Sequence, residues 1–348
     1  MQADCVNSGT RSSDPQRMFP QEARTDNGRH PPDEDPLGHF QGQRARFGYG
    51  SAVKSVLMIV NASAGGGSNA RKAQAAAQLL RSAGVQVALL ETHSVHEALD
   101  GIHRLAPGLD AVVPVGGDGT IRGILPAVLE TRLPIGLIPA GTANVVAREL
   151  GIPRRVVGAV RALLTGRPIP WDLGQINGQW FLAMIGVGLD ASIVSGVASG
   201  KGKLRRLAWK GIRQLVRPPD FELRVTRDGE SIPGSIKSFV VCNTRNYGGW
   251  FSLAPDARAT DGRMDGVALR SLSRWAMLRF VGAASVARHP SRSVASSHPG
   301  HRFLIESADP QTPAPVQADG DPLGCTPVTV SVFPKALHIF APSKTPNK

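Results

Sequence analysis

The chain has 348 residues, 41% of them hydrophobic and 19% charged, with a formal charge of +13. That length can bury two cores, and no apolar run approaches the roughly 20 residues that cross a bilayer as a helix, so an integral helical membrane protein is not expected. Cys5, Cys242 and Cys325 are odd in number and widely spaced. They give neither a zinc pattern nor a disulfide framework, which points to a reducing cytoplasm.

Residues 1–50 are rich in Ser, Pro, Gly, Gln and charge and are expected to form a disordered leader. Six arginines there face seven carboxylates, so the positive excess belongs to the remaining chain. A basic body attracts nucleic acid, anionic membrane and phosphorylated ligands alike. The basic residues lack interleaved aromatics and any recognition motif, so no nucleic-acid partner is expected.

Organised structure starts at the apolar run 55–60, which has the look of a strand covered on both faces. A Gly/Ser loop over 61–68 follows, then Ala70, Ala73, Ala76, Ala77 and Leu80 at helical spacing, closed by Gly84. The alternation repeats with a strand at 85–90, a helix at 95–105, and a strand at 110–115 that runs into Gly116-Gly117-Asp118-Gly119-Thr120. A helix over 120–130 contains Pro126, and 134–138 is read as a strand entering Gly141-Thr142-Ala143-Asn144. Helices over 142–150 and 154–164 complete this half. Strands alternating with helices imply a parallel sheet covered on both faces, with ligands at the carboxyl ends of its strands.

After Gly166 the pattern changes to short β-like runs at 169–176, 180–185, 221–226, 236–242, 265–270, 302–306, 328–333 and 336–340. Asn177-Gly178, Asp228-Gly229 and Pro233-Gly234 mark turns between several of them, as an antiparallel β domain requires. Residues 203–217 place Leu204, Leu207, Gly211 and Leu215 on one helical face, with Arg205, Arg206 and Lys210 mostly elsewhere. Such a basic amphipathic helix can cover its own core or rest on an anionic bilayer.

All three glycine-rich loops fall at predicted strand ends, where exposed backbone amides suit phosphate. No GxxxxGK[ST] occurs, so this is not a Walker-type site. A carboxylate at Asp118 would repel bare phosphate and makes more sense holding Mg²⁺ or orienting a group nearby. Read alone, GGDGT is also a tight strand-to-helix turn capped by Thr120. Gly186-Val187-Gly188-Leu189-Asp190-Ala191 fits GxGxx[GA] but lacks the βαβ unit and closing acid of a dinucleotide site.

Taken together, Val60-Asn61-Ala62-Ser63-Ala64-Gly65, the GGDGT loop and Ile138-Pro139-Ala140-Gly141-Thr142-Ala143-Asn144 resemble the diacylglycerol kinase catalytic family, and within it the bacterial soluble lipid kinases. The resemblance runs from about residue 54 to 342. It implies an α/β ATP-binding domain over 54–166 and an antiparallel β-sandwich lipid domain over 167–332. Segment 333–343 would return to the first domain.

The resemblance assigns ATP to Asn61, Ala62, Ser63, Ala64 and Gly65, to Gly117, Asp118, Gly119, Thr120, Ile121, Arg122 and Gly123, and to Thr92 and Thr142. Loop or helix capping is the alternative reading of both threonines. Where the family reads GGDGTINE, this chain has Arg122-Gly123, which would bring a positive charge toward the nucleotide. The late Asp319-Gly320-Asp321 matches a DGE segment whose Glu is the proposed base. Asp321 is then the candidate catalytic base, with Asp319 and Asp118 as competitors. Its arm is one methylene shorter, by about 1.5 Å, and misplacement on that scale can cost about 100-fold. Asp261, with the carbonyls of Arg258 and Arg263, matches a structural Mg²⁺ loop; oxygen ligands suit a hard cation.

The expected activity is transfer of the ATP γ-phosphate to a lipid alcohol such as a diacylglycerol or sphingoid base. The expected location is the cytoplasm, against the inner membrane face, with a homodimer left open. The alternatives are an NAD kinase, which shares GGDGT, or an inert lipid- or nucleotide-binding homologue.

Overall fold

The computed structural model describes residues 53–61, 67–194, 220–247, 251–273, 275–276, 279, 282 and 294–342. Every described residue belongs to one compact unit. The expected leader and the basic stretch at 203–217 lie outside the described residues.

Val56, Leu57, Met58, Ile59 and Val60 are each at most 1% exposed. Strand β1 (Ser55–Asn61) must therefore be covered on both faces, the situation of a central strand between helical layers. β2 (Gln86–Thr92) and β3 (Ala111–Gly116) pair with it in parallel on either side. Helices α1 (Ser68–Ser82), α2 (Val95–Leu105) and α3 (Asp118–Thr131) follow the three strands. The start of α2 is a reciprocal cap: Ser94 Oγ accepts from Glu97 N, and His93 N donates to Glu97 Oε2.

The strand expected over 134–138 is shorter and broken. Ile135 makes an isolated parallel bridge to Val112, and β4 (Ile138–Pro139) pairs with the end of β3. Pro134 and Pro139 have no N–H to give to a ladder. Helices α4 (Val145–Glu149) and α5 (Val156–Thr165) close this half.

The second half is a sandwich of two six-stranded antiparallel sheets. One contains β6 (Gln179–Phe181), β5 (Arg167–Ile176), β18 (Val328–Ala341), β15 (Arg302–Ser307), β8 (Leu223–Arg227) and β9 (Glu230–Ser231), in that order. The other contains β14 (Ala295–Gly300), β13 (Met264–Leu269), β10 (Ser238–Cys242), β7 (Met184–Val187), β16 (Pro315–Ala318) and β17 (Asp321–Cys325). Ile176, Phe181, Val225, Phe303 and Val330 of the first sheet pack on Ile185, Val187, Phe239, Val241 and Val316 of the second. The Phe239 and Phe303 rings meet across the layers at 5.7 Å between centroids. The outer face of the second sheet carries a smaller core containing Leu189 of α6 (Leu189–Val194), Val240 and Val267. β11 (Asn246–Tyr247) and β12 (Phe251–Ser252) form a separate small hairpin.

β18 belongs to both halves. Its first part pairs with β15 and β5, while Ile339 bridges Ile135 in parallel and Phe340 N donates to Ile135 O. The two runs expected at 328–333 and 336–340 are this one strand. Its register shifts between Phe333 and Leu337, where Pro334 and the left-handed Lys335 (φ 55°) interrupt it. Cys242 is a buried free thiol. Among the described residues no helix is long and apolar enough to cross a membrane.

Candidate active site

The parallel strands end on one edge, at Asn61, Thr92, Gly116 and Pro139. There the GGDGT and GTAN loops touch backbone to backbone. A Cβ added to Gly141 would lie 2.5 Å from Gly117 Cα, so neither position tolerates a side chain without movement. Asn144 adopts the left-handed conformation (φ 47°), accepts from Gly141 N at 2.9 Å and donates to Gly141 O at 2.8 Å.

Asp118 ties the two loops together. Its Oδ2 accepts from Val145 N at 2.9 Å and its Oδ1 from Val146 N at 3.1 Å, so a carboxylate from α3 caps the N-terminus of α4. Burial raises its pKa above the ordinary value, opposed by these two N–H groups. The carboxylate expected to hold Mg²⁺ or to act in catalysis thus accepts from two backbone donors and orders the junction between the loops. Gly116, Gly117, Asp118, Pro139 and Asn144 line the small depression that results.

The other nucleotide candidates divide. Ala62, Ser63, Ala64 and Gly65 lie outside the described residues, while Asn61 closes β1 directly beside Thr92. Thr92 is 3% exposed and donates to Val60 O, an internal role. Thr142 is exposed and is not the cap of α4, since Asn144 holds that position and Asp118 supplies the acceptor. Gly119 is exposed with open space around its Cα, Thr120 folds over Gly116, and Ile121 is buried in the core. Gly123 faces Val95 of α2, where an added Cβ would stand 3.3 Å from the side chain. Lys72, absent from the sequence reading, donates from α1 to Pro139 O at 3.1 Å. It brings an ammonium group to the same edge; its place in the second turn of the helix after a glycine loop was the available signal.

The far lobe supplies the remaining pieces. β16 and β17 join through Asp319 (φ 49°) and Gly320 (φ 84°), the two positive φ values of a tight hairpin turn. Asp319 accepts from Leu182, Ala183 and Met184 N at 2.8, 2.9 and 3.1 Å, and burial raises its pKa. This carboxylate, a competitor for the role of base in the sequence, anchors the entry to β7. Asp321 starts β17 with its side chain 43% exposed and is ion-paired to Arg122 of α3. Arg122 Nη1 also donates to Ala318 O at 2.8 Å. Arg122 thus grips the opposite lobe.

Behind the turn, Gln317 Nε2 donates to Asp190 Oδ2 at 2.6 Å while its Oε1 accepts from Gly320 N. Burial pushes Asp190 up to about 6. Gly186 is glycine because the Asp190 carboxylate occupies the place of its Cβ. Across the two halves, Arg245 Nε and Asn246 Nδ2 donate to Glu149 of α4, a clamp with no signature in the sequence.

Arg258, Asp261 and Arg263 fall on one turn. Asp261 N donates to Arg258 O, and Asp261 accepts from Arg263 N and Nε at 3.3 and 3.4 Å. Burial, with the Asp261 charge adding to it, raises both Asp172 and Asp265. The turn therefore favours positive charge, and the Arg263 guanidinium already provides some. A cation there would take over the Asp261 oxygens that Arg263 now contacts.

Residues 55–176 match the diacylglycerol kinase catalytic domain, and residues 183–341 match the YegS C-terminal NAD kinase beta sandwich-like domain. The chain is 30% identical over 307 residues to a diacylglycerol kinase of Mycobacterium tuberculosis (strain ATCC 25618 / H37Rv), covering 83% of this chain and 96% of the relative. It is 34% identical over 206 residues to a diacylglycerol kinase of Bacillus subtilis (strain 168), covering 56% and 67%. A crystal structure of a diacylglycerol kinase from Bacillus anthracis str. Sterne superposes with a TM-score of 0.65 at 21% identity, over 84% of this chain and 98% of that one, which speaks for the fold. Loops, turn and sandwich, together with these likenesses along nearly the whole described length, place the chain in the diacylglycerol kinase family of lipid kinases.

Proposed function

We propose that the protein is an ATP-dependent kinase that moves the γ-phosphate onto the hydroxyl of a lipid alcohol. Diacylglycerol is the first candidate, because relatives carry that name. The reading is supported by one observation: Asp321, which opens β17, is ion-paired to Arg122 of the helix that opens at GGDGT. The glycine loops would receive the phosphates on their amides, Lys72 would add positive charge, and Mg²⁺ would enter with ATP as its counter-ion. Asp321 would accept the proton of the attacking hydroxyl as the oxygen bonds to phosphorus and the ADP leaving group departs. Peripheral contact with an anionic inner membrane would supply the acceptor to a body carrying the positive excess.

The test is γ-labelled ATP and Mg²⁺ with a panel of lipid alcohols. Labelled lipid phosphate is expected, and Asp321→Asn should lower kcat by about 10²–10⁴-fold. Transfer to no lipid alcohol at all, with ATP still bound, would leave an inert homologue. Unchanged turnover in the variant would remove Asp321 from its role.

A further inference from the structure

We infer that Arg122 is the positioning residue of Asp321, the two side chains acting as one matched unit; this rests on the reading of Asp321 as proton acceptor. One planar head group touches both flanks of the Asp319–Gly320 turn, through Nη2 to Asp321 Oδ2 and through Nη1 to Ala318 O at 2.8 Å. The turn beneath is already fixed by the three amides on Asp319 and by Gln317. What Arg122 adds is the aim of the one carboxylate that starts the next strand.

Energetics argue against a merely stabilising pair. The two side chains are 25% and 43% exposed, and ion pairs in such surroundings contribute about 0–1 kcal/mol. An arginine fork restricts orientation far more than it stabilises, and a lysine cannot reproduce its two-pronged geometry. Reach explains the pairing. Asp321 is a short acid on a fixed hairpin, and Arg122 is a long base from the facing helix, one turn beyond Asp118. Both positions depart from the family-like pattern of asparagine at 122 and glutamate at 321, and the two departures meet. Length has moved from the acid to its partner.

The experiment is a double-mutant cycle with γ-labelled ATP and short-chain 1,2-diacylglycerol, reading kcat and KM for ATP separately. Arg122→Asn and Asp321→Glu should each lower kcat by about 10- to 100-fold, with KM for ATP within about threefold. The double variant should return to within about tenfold of wild type instead of showing the multiplied loss expected of independent sites. Arg122→Lys keeps the charge without the fork and should behave like Arg122→Asn; it carries the test if that variant is unstable. Multiplied losses in the double variant, or a raised KM for ATP at unchanged kcat, would overturn the inference while leaving the kinase reading intact. Absence of transfer by the wild-type protein would overturn both.

Discussion

Asp319 and Asp321 stand two residues apart and, on the proposed reading, do opposite work. Asp319 holds three backbone amides, and its replacement by Asn leaves buried donors without full partners, so a loss of about 3 kcal/mol is expected in chemical denaturation. Asp321→Asn should leave the melting temperature nearly unchanged and act on turnover alone. If the two variants showed the same pattern, the division of labour would be wrong. Asp190 gives a pH-dependent counterpart. Its folded pKa of about 6 lies above the ordinary carboxyl value, so the unfolded chain releases this proton first as pH rises. The stability contributed by this group is full below about pH 4 and is lost by about pH 6, a change of roughly 3 kcal/mol. Asp190→Asn should flatten the stability curve across that window, measured by denaturant unfolding at pH 4 to 7; an unaltered slope would assign the dependence elsewhere.

Between elements, the decisive contact is that of the GGDGT loop with the start of α4. Gly141→Ala must push Gly117 away, because the new Cβ would sit 2.5 Å from its Cα. ATP affinity should fall by about 10- to 100-fold in calorimetry, and unaltered affinity would show that loop contact is irrelevant to the nucleotide. The turn carrying Asp261 offers a second test. If Mg²⁺ replaces the Arg263 contacts there, near-saturating Mg²⁺ should raise the melting temperature by about 5 °C, and Asp261→Asn should abolish the rise. No rise in the wild type would leave the turn to its arginine. The sequence announced the α/β half well, because β1 and β3 are continuous apolar runs and helical spacing follows them. It hid β14, whose two buried positions, Ala295 and Gly300, are small and lie on opposite faces, so no alternation marks the strand. It pointed to Asp321 through a motif, but the Arg122 contact spans 199 positions, and no local pattern encodes a partner that far away.

At the scale of the molecule, charge and connectivity matter most. The positive excess lies in the body, so binding to anionic vesicles should weaken as salt rises and weaken further on charge reversal at Arg205, Arg206 and Lys210. Salt-independent binding in a flotation assay would exclude an electrostatic attachment. The double membership of β18 has a different outcome. Until the ribosome has released His338, Ile339 and Phe340, Ile135 has no neighbour on that side and the nucleotide half is left with an open seam. Neither half can mature ahead of the other, and a truncated message ending before Leu337 would leave the first half without its closing seam.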